Sequence, residues 1–527
     1  MKGVLPSRPG AGGSPRILQR VRRCQQRPVV FSRPSPRGEK HVYGNSMNKK
    51  TLVGVAVAIA VVAYGGATWY LGQRAQSSYE EALVDLRKAV GPDAVVSEEY
   101  HKGFFSSQAK LVLQWTPPRT AAQAEANLPP SPPLRLAVNS TVHHGPWAGR
   151  RLAAAVVDSR FALEGLDAQA TKDLAKVTAP TLTTVHHLTG RHDLHFVLPA
   201  GEVGNEEMTL RWQEMATEMT LSGDRKRVKG SFQWPEFAMV GLPGGTAGDE
   251  DEGEEVKPAT RITMALKGMD GQFENEVIDG MWLFGPGTGT VRLAQMDASS
   301  TPAAGGAATS LVALKEVTGS STIESTGTTI SIATSLNGKG SMGPLNFESV
   351  GFEEKFQRID LETIKRFQQA LIETYRTNGL ADASSKTEER LLALFEENAP
   401  RLVAALPAYS MKLLATYQGQ QGQLEYGGEV QRAPTTEEVA QTGWKASLIK
   451  GSMLNASVRV PKAWLPPIAE AVGKKDMKSE DMDAMIGMAQ AAGFLRQEGD
   501  SLTSVVKMEA GQVKLNGKAI DLPKGTF

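Results

Sequence analysis

The sequence predicts an α+β fold: one N-terminal transmembrane helix, then a large, mainly antiparallel β-rich body with a helical insertion and a C-terminal α+β part. Three observations carry this. Thr51–Leu71 (TLVGVAVAIAVVAYGGATWYL) contains no charged residue. From about Val95 to Gly351 apolar residues recur with period two, interrupted at short intervals by turn residues. After Gly351 the period becomes helical before strand patterns return.

The totals set the frame. A chain of 527 residues exceeds one ordinary compact core, so several domains or one elongated one are expected. The net charge of +1 averages two unlike parts. Residues 1–46 carry ten Lys or Arg and one acid, Glu39, leaving 48 basic and 56 acidic residues in the remainder. The body is therefore mildly acidic and offers no basic stripe, which argues against a nucleic-acid partner. The single cysteine, Cys24, lies before Met47, so the body has no thiol for a disulfide, a nucleophile or a metal.

Residues 1–46 are rich in Arg, Pro and Ser and have no apolar period. They read as a transit peptide, a disordered cytoplasmic tail, or a segment upstream of a true start at Met47, where MNKK opens directly onto the apolar run. The composition break at Met47 favours the last. As a helix, Thr51–Leu71 would span ~32 Å, matching a hydrocarbon core of ~30 Å. It is longer than a cleaved signal core and ends in the bulky Trp69, Tyr70 and Leu71, which suit a membrane interface. It therefore reads as an uncleaved signal anchor within a 47–72 unit. Lys49 and Lys50 precede it, so the positive-inside rule puts the N-terminus in the cytoplasm and the body outside. A stalk helix is expected over 73–92, because Tyr79, Leu83, Leu86 and Val90 share one face and Gly91-Pro92 stops it.

A β-rich region is expected over 93–351. Leu111, Leu113 and Trp115 alternate in one segment, and Ile330, Ile332, Thr334 and Leu336 in another. TPPRTAAQAEANLPPSPP and GLPGGTAGDEDEGEEVKP read as surface loops; the acidic run lacks the ligand spacing of an EF-hand. LNGK occurs at Leu336–Lys339 and Leu515–Lys518, and Asn-Gly between strand-like residues predicts a hairpin at each. A helical region is expected over 352–418. Asp360 is its N-cap, Leu361, Ile364, Phe367 and Leu371 form its inner face, and breaks fall at Pro400 and Pro407. Over 419–527 the pattern gives strands near Gly422–Val430 and Ser452–Val460, a helix near Ser479–Ala492, and terminal strands Ser501–Ala510 and Gln512–Leu522.

Few residues invite chemistry. The histidines are His41, His101, His143, His144, His186, His187, His192 and His195. Only HHLTGRHDLH, His186–His195, is a cluster. His186 and His192 share a face only if Gly190 breaks the register, and exposed strand histidines are favoured over a zinc site. HGPW at His144–Trp147 reads as a tight turn with Trp147 packed in the core. Ser106 and Ser107 follow His101 without any nucleophile-elbow motif. FGPGTGT at Phe284–Thr290 lacks the Lys-Ser/Thr of a phosphate loop and reads as a turn. Met477, Met482, Met485 and Met488 line the last helix; packing on the sheet is favoured over a face for a partner, a lipid or a second copy. No catalytic, cofactor-binding or metal residue is assigned, and no cofactor is expected.

Six stretches taken in order carry a resemblance: MNKK with the apolar run, EEYHKGFFSSQAKLVL, HHGPW, FQRIDLETIKRFQQAL, FEENAPRLVAALPAYSMKLLATYQGQQGQL and AAGFLRQEGDSLTSVVKMEAGQVKLNGK. From Met47 onward the chain resembles the YdgA-like family of bacterial inner-membrane proteins of unknown function. The resemblance implies an inner-membrane anchor and a periplasmic body, and carries over no catalytic residue. A looser architectural likeness is to AsmA-type envelope proteins, which are thought to handle lipids. The expected function is thus a non-enzymatic envelope protein whose body binds a partner or an apolar ligand. The alternatives are an AsmA-like lipid-handling or assembly factor, and a periplasmic hydrolase of unidentified mechanism. Expected partners are the bilayer through the anchor, a lipid or an envelope protein, and a second copy in a homodimer.

Overall fold

A computed structural model of the chain describes residues 49–520 apart from 116–132, 167, 206–207, 242–259, 279–284, 303–305, 344, 379–384 and 472–477. The basic leader, nearly all of the Pro/Ala and acidic loops, and Met477 lie outside the described residues. The chain divides into two compact units, Met1–Ala58 and Ile59–Phe527. The described part of the first unit is helical.

Lys49–Val90 is one helix of 42 residues, so the stalk expected over 73–92 is its continuous C-terminal half. It stops where the sequence indicates: Gly91 adopts φ 92° and its N–H donates to the Arg87 carbonyl. Tyr79, Leu83, Leu86 and Val90 turn inward, with Leu83 buried. The Tyr79 ring lies 5.1 Å from that of Tyr100, and Arg87 pairs with Glu98 at 2.6 Å. By contrast Val57–Tyr64 are exposed without exception. Among the described residues no helix is long and apolar enough to cross a membrane; the side chains of residues 51–56, which open the apolar run, lie outside them.

Among the described residues of the second unit 22 strands form one sheet, and every pairing in it is antiparallel. Its path is mostly a meander. Val95–His101 pairs with Ser106–Trp115, which pairs with Leu134–His144, and so on through Ser501–Glu509 to Lys518–Ile520. Gly201–Gly204 and Met208–Trp212 branch onto one half of the long strand Arg227–Gly241. Trp147–Ala148 and Arg151–Leu152 form a separate small hairpin. Among the described residues the first and last strands do not pair, so the sheet is open.

The helical insertion is narrower than the 352–418 region. Leu345–Asp360 and Ala408–Tyr417 are strands that pair directly, and the helices Leu361–Asn378 and Ser385–Ala404 are looped out between them. Asp360 is the N-cap: its carboxylate accepts from the Thr363 backbone N–H at 2.8 Å and from its hydroxyl at 2.7 Å. Leu361 and Ile330 are buried together with Ile364 against them, which ties the insertion to the sheet. Pro400 does not break its helix, which runs on to Ala404; the chain leaves the helix before Pro407. Of the two LNGK copies, Leu515–Lys518 is a hairpin turn, with Asn516 at φ 50° and Gly517 at φ 82°. Leu336–Lys339 is not a hairpin. It lies inside the strand Thr329–Met342, because neighbouring strands pair with it on both sides.

Candidate functional site

Side chains alternate between the two faces of a sheet, and directly paired residues share a face. Following the pairing from Leu336 gives Phe352, Leu413, Leu424 and Val458, one residue from each of five successive strands. Two residues along lies a second row on the same face, Gly338, Val350, Ala415 and Gly422. These rows line a groove of about 470 Å³. That volume falls within the range of small-molecule sites, roughly 300–1,000 Å³. Trp464 closes one end, its indole donating to the Tyr417 carbonyl at 3.3 Å and its ring packed on Gly422, where a Cβ would lie 2.5 Å from the indole. Leu413 and Leu424 remain 38% exposed. Among the described residues nothing completes the burial of this surface, which is unusual for a contiguous apolar patch.

The opposite face is polar at the same strands. Lys412 pairs with Glu425 at 3.2 Å, and Glu353 is the direct partner of Lys412. The apolar row also continues past the groove. Leu336 pairs with Gly319, then Val291, Gly271, Phe232, Thr217, Phe196 and Leu182 in turn. Two glycines in this row have a packing role. A Cβ at Gly271 would lie 2.5 Å from the Phe232 ring, and one at Gly319 would lie 2.6 Å from Leu336. The large side chains lie over the glycines, which smooths the row.

HGPW does turn tightly, with Gly145 at φ 102°, but it sends Trp147 out onto the small hairpin at 60% exposure, not into the core. His144 and Ser107 meet: Nε2 and Oγ are 3.0 Å apart. The pair is sealed, with His144 2% and Ser107 1% exposed. The N-terminal helix covers it, a Cβ at Gly72 falling 2.8 Å from His144 Nδ1. Burial lowers the His144 pKa, and Nδ1 has no hydrogen-bond partner among the described residues. A nucleophile–base–acid relay needs a group orienting the base and a path for substrate. This pair has neither in the described structure.

Gly190, at φ 84°, lies in the tight turn of a hairpin, which sets His186 opposite His192 with their Nδ1 atoms 2.7 Å apart. They are half-buried rather than exposed. His187 instead binds Asp193 at 2.7 Å, beside Arg191. Among the described residues no group of three or more His, Cys, Asp or Glu could hold a metal ion. Burial, with His192 and His187 nearby, lowers the His186 pKa to about 4, and burial lowers that of His192. In the unfolded chain both would titrate near 6.5. Protons therefore bind the unfolded chain first as pH falls, and the stability held above about pH 6.5 is lost toward pH 4. The denaturant midpoint is expected to be lower at pH 4.5 than at pH 7, and His186→Gln to flatten that slope. A midpoint indifferent to pH over this window would contradict the reading.

The remaining motifs are structural. Gly287–Pro302 is a strand, so FGPGTGT leads into the sheet. The last helix, Ser479–Ala491, has no buried residue and leaves Met485 and Met488 exposed rather than packed on the sheet.

A family model described as a bacterial protein of unknown function (DUF945) matches residues 47–523. No curated protein and no solved structure matches the chain.

Proposed function

The chain belongs to the bacterial family of unknown function DUF945, and from that premise we propose a YdgA-like, single-pass inner-membrane protein whose periplasmic β-rich body binds an apolar ligand, a lipid acyl chain, in the groove from Leu336 to Val458. The groove is the observation that carries this reading. Its Leu, Phe and Val side chains come from five strands, converge on one face and remain partly open. An acyl chain would complete their burial at about 25 cal/mol per Å² of apolar surface.

The anchor is supported by Val57–Tyr64, apolar and exposed all round the helix, a pattern that suits lipid rather than water. The basic flank before it supports a cytoplasmic N-terminus. The continuation of the apolar row beyond the groove favours lipid handling along the sheet, as in the AsmA-like alternative. The hydrolase alternative has only the sealed Ser107–His144 contact in its support.

The test uses the full chain in mild detergent. Titration with cis-parinaric acid, a fatty acid that fluoresces in apolar surroundings, is expected to saturate at about one molecule per chain, a single pocket's worth. Unlabelled fatty acid should displace it. Linear, non-saturating uptake equal to that of detergent alone would refute the reading.

A further inference from the structure

We infer that the end of the sheet beside the N-terminal helix is a seat on the surface of an anionic bilayer, so that the body rests on the membrane instead of hanging from it. This rests on the anchor reading above and adds a second contact to it.

The helix meets the end of the sheet where its exposed segment stops. A Cβ at Gly65 would lie 3.9 Å from the Phe104 ring, and Thr68 packs against Gly145. The Ser106–Trp115 and Leu134–His144 strands thus bring their ends to the level of residues 65–68. At that level four large apolar side chains stand in the open: Phe104, Phe105, Trp147 and Leu152. They are held, not loose. Phe104 and Phe105 stack edge to face at 4.9 Å, the Phe105 carbonyl accepts from the His144 N–H, and Trp147 pairs with Leu152 across the small hairpin. Trp69 and Tyr70 on the helix itself are exposed at the same height. Aromatic rings gathered around the end of the helix's apolar segment match the composition of a membrane interface.

Charge selects the occupant. Lys102, Arg150 and Arg151 flank the apolar residues, are exposed, and have no ion pair among the described residues. A protein-binding face would bring partners for such cations, whereas phosphate headgroups supply them across a whole plane. Each cation is expected to strengthen attachment to an anionic surface about fivefold.

The test uses the full chain in vesicles of phosphatidylethanolamine and phosphatidylglycerol, with Cys24→Ser as background. Single cysteines introduced by Val62→Cys, Leu152→Cys and Gln512→Cys carry an environment-sensitive fluorophore, and spin-labelled lipids act as quencher. Labels at 62 and 152 should be quenched, and the label at 512 should not. Arg150→Glu with Arg151→Glu should reduce quenching at 152 in anionic vesicles and leave neutral vesicles unaffected. Quenching at 62 with none at 152 would overturn the seat and leave the anchor standing. Failure to quench at 62 would overturn both. A blue-shifted but unquenched label at 152 would mean that protein covers this surface, and would also overturn the seat.

Discussion

Leu413→Glu is expected to abolish fatty-acid binding while leaving the protein folded. Leu413 sits mid-row between Phe352 and Leu424, so a carboxylate there meets the ligand's apolar length, and the cation among the lining residues, Arg459, is two strands away. Desolvating a charge without a partner is costly, and a loss of about 100-fold in affinity, roughly 3 kcal/mol, is the expected scale. Because Leu413 is 38% exposed, the loss of fold stability is expected to be only about 1 kcal/mol. The control is one residue away. Lys412 lies on the opposite face, paired with Glu425, and Lys412→Ala is expected to leave binding unchanged. The two variants differ by one position and by one face, so equal effects on binding would rule out the groove as the binding site. The measurement is parinaric-acid titration, with urea unfolding of each variant alongside.

Gly145→Val is expected to cost about 2–4 kcal/mol of stability. Two causes add. Gly145 has φ 102°, which a β-branched residue rarely adopts. A Cβ there would also fall 2.6 Å from Thr68 Oγ1, and Thr68 is fully buried where the helix docks. The helix must shift or the turn must deform. Gly66→Val is the control, since nothing lies within 4 Å of a Cβ at Gly66 and its φ is not positive. Unfolding of the full chain in detergent, followed by tryptophan fluorescence, should separate the two by several degrees. Equal stability would mean that the helix does not dock through this turn.

Local features of this fold are legible in the sequence. The Gly91-Pro92 stop, the Asp360 cap and the Asn516-Gly517 turn each depend on residues within four positions of one another. The β character of 93–351 shows in its period of two. The groove does not show. Its row joins Phe352 to Leu413 across a looped-out pair of helices, and nothing in either segment specifies that register. Glycine misleads in the same way. Gly338 looks like half of a hairpin, yet it lies within a strand, where a Cβ would meet Val317 at 3.0 Å. Trp147 looks like core because it is large and apolar, but the tight turn before it swings it outward. In each case long-range pairing overrides a short-range signal. The Ser107–His144 contact is equally hidden, because the register of two neighbouring strands brings together residues 37 positions apart.

This face of the sheet is proposed to hold lipid. Photocrosslinking in intact bacterial membranes tests it most directly, with a photoreactive amino acid placed at position 413 in one variant and at 412 in another. Mass spectrometry of the purified chain should find acyl-lipid adducts from position 413 and few from position 412, whose side chain faces the polar side. Equal lipid adducts from both positions, or none from position 413, would contradict the claim.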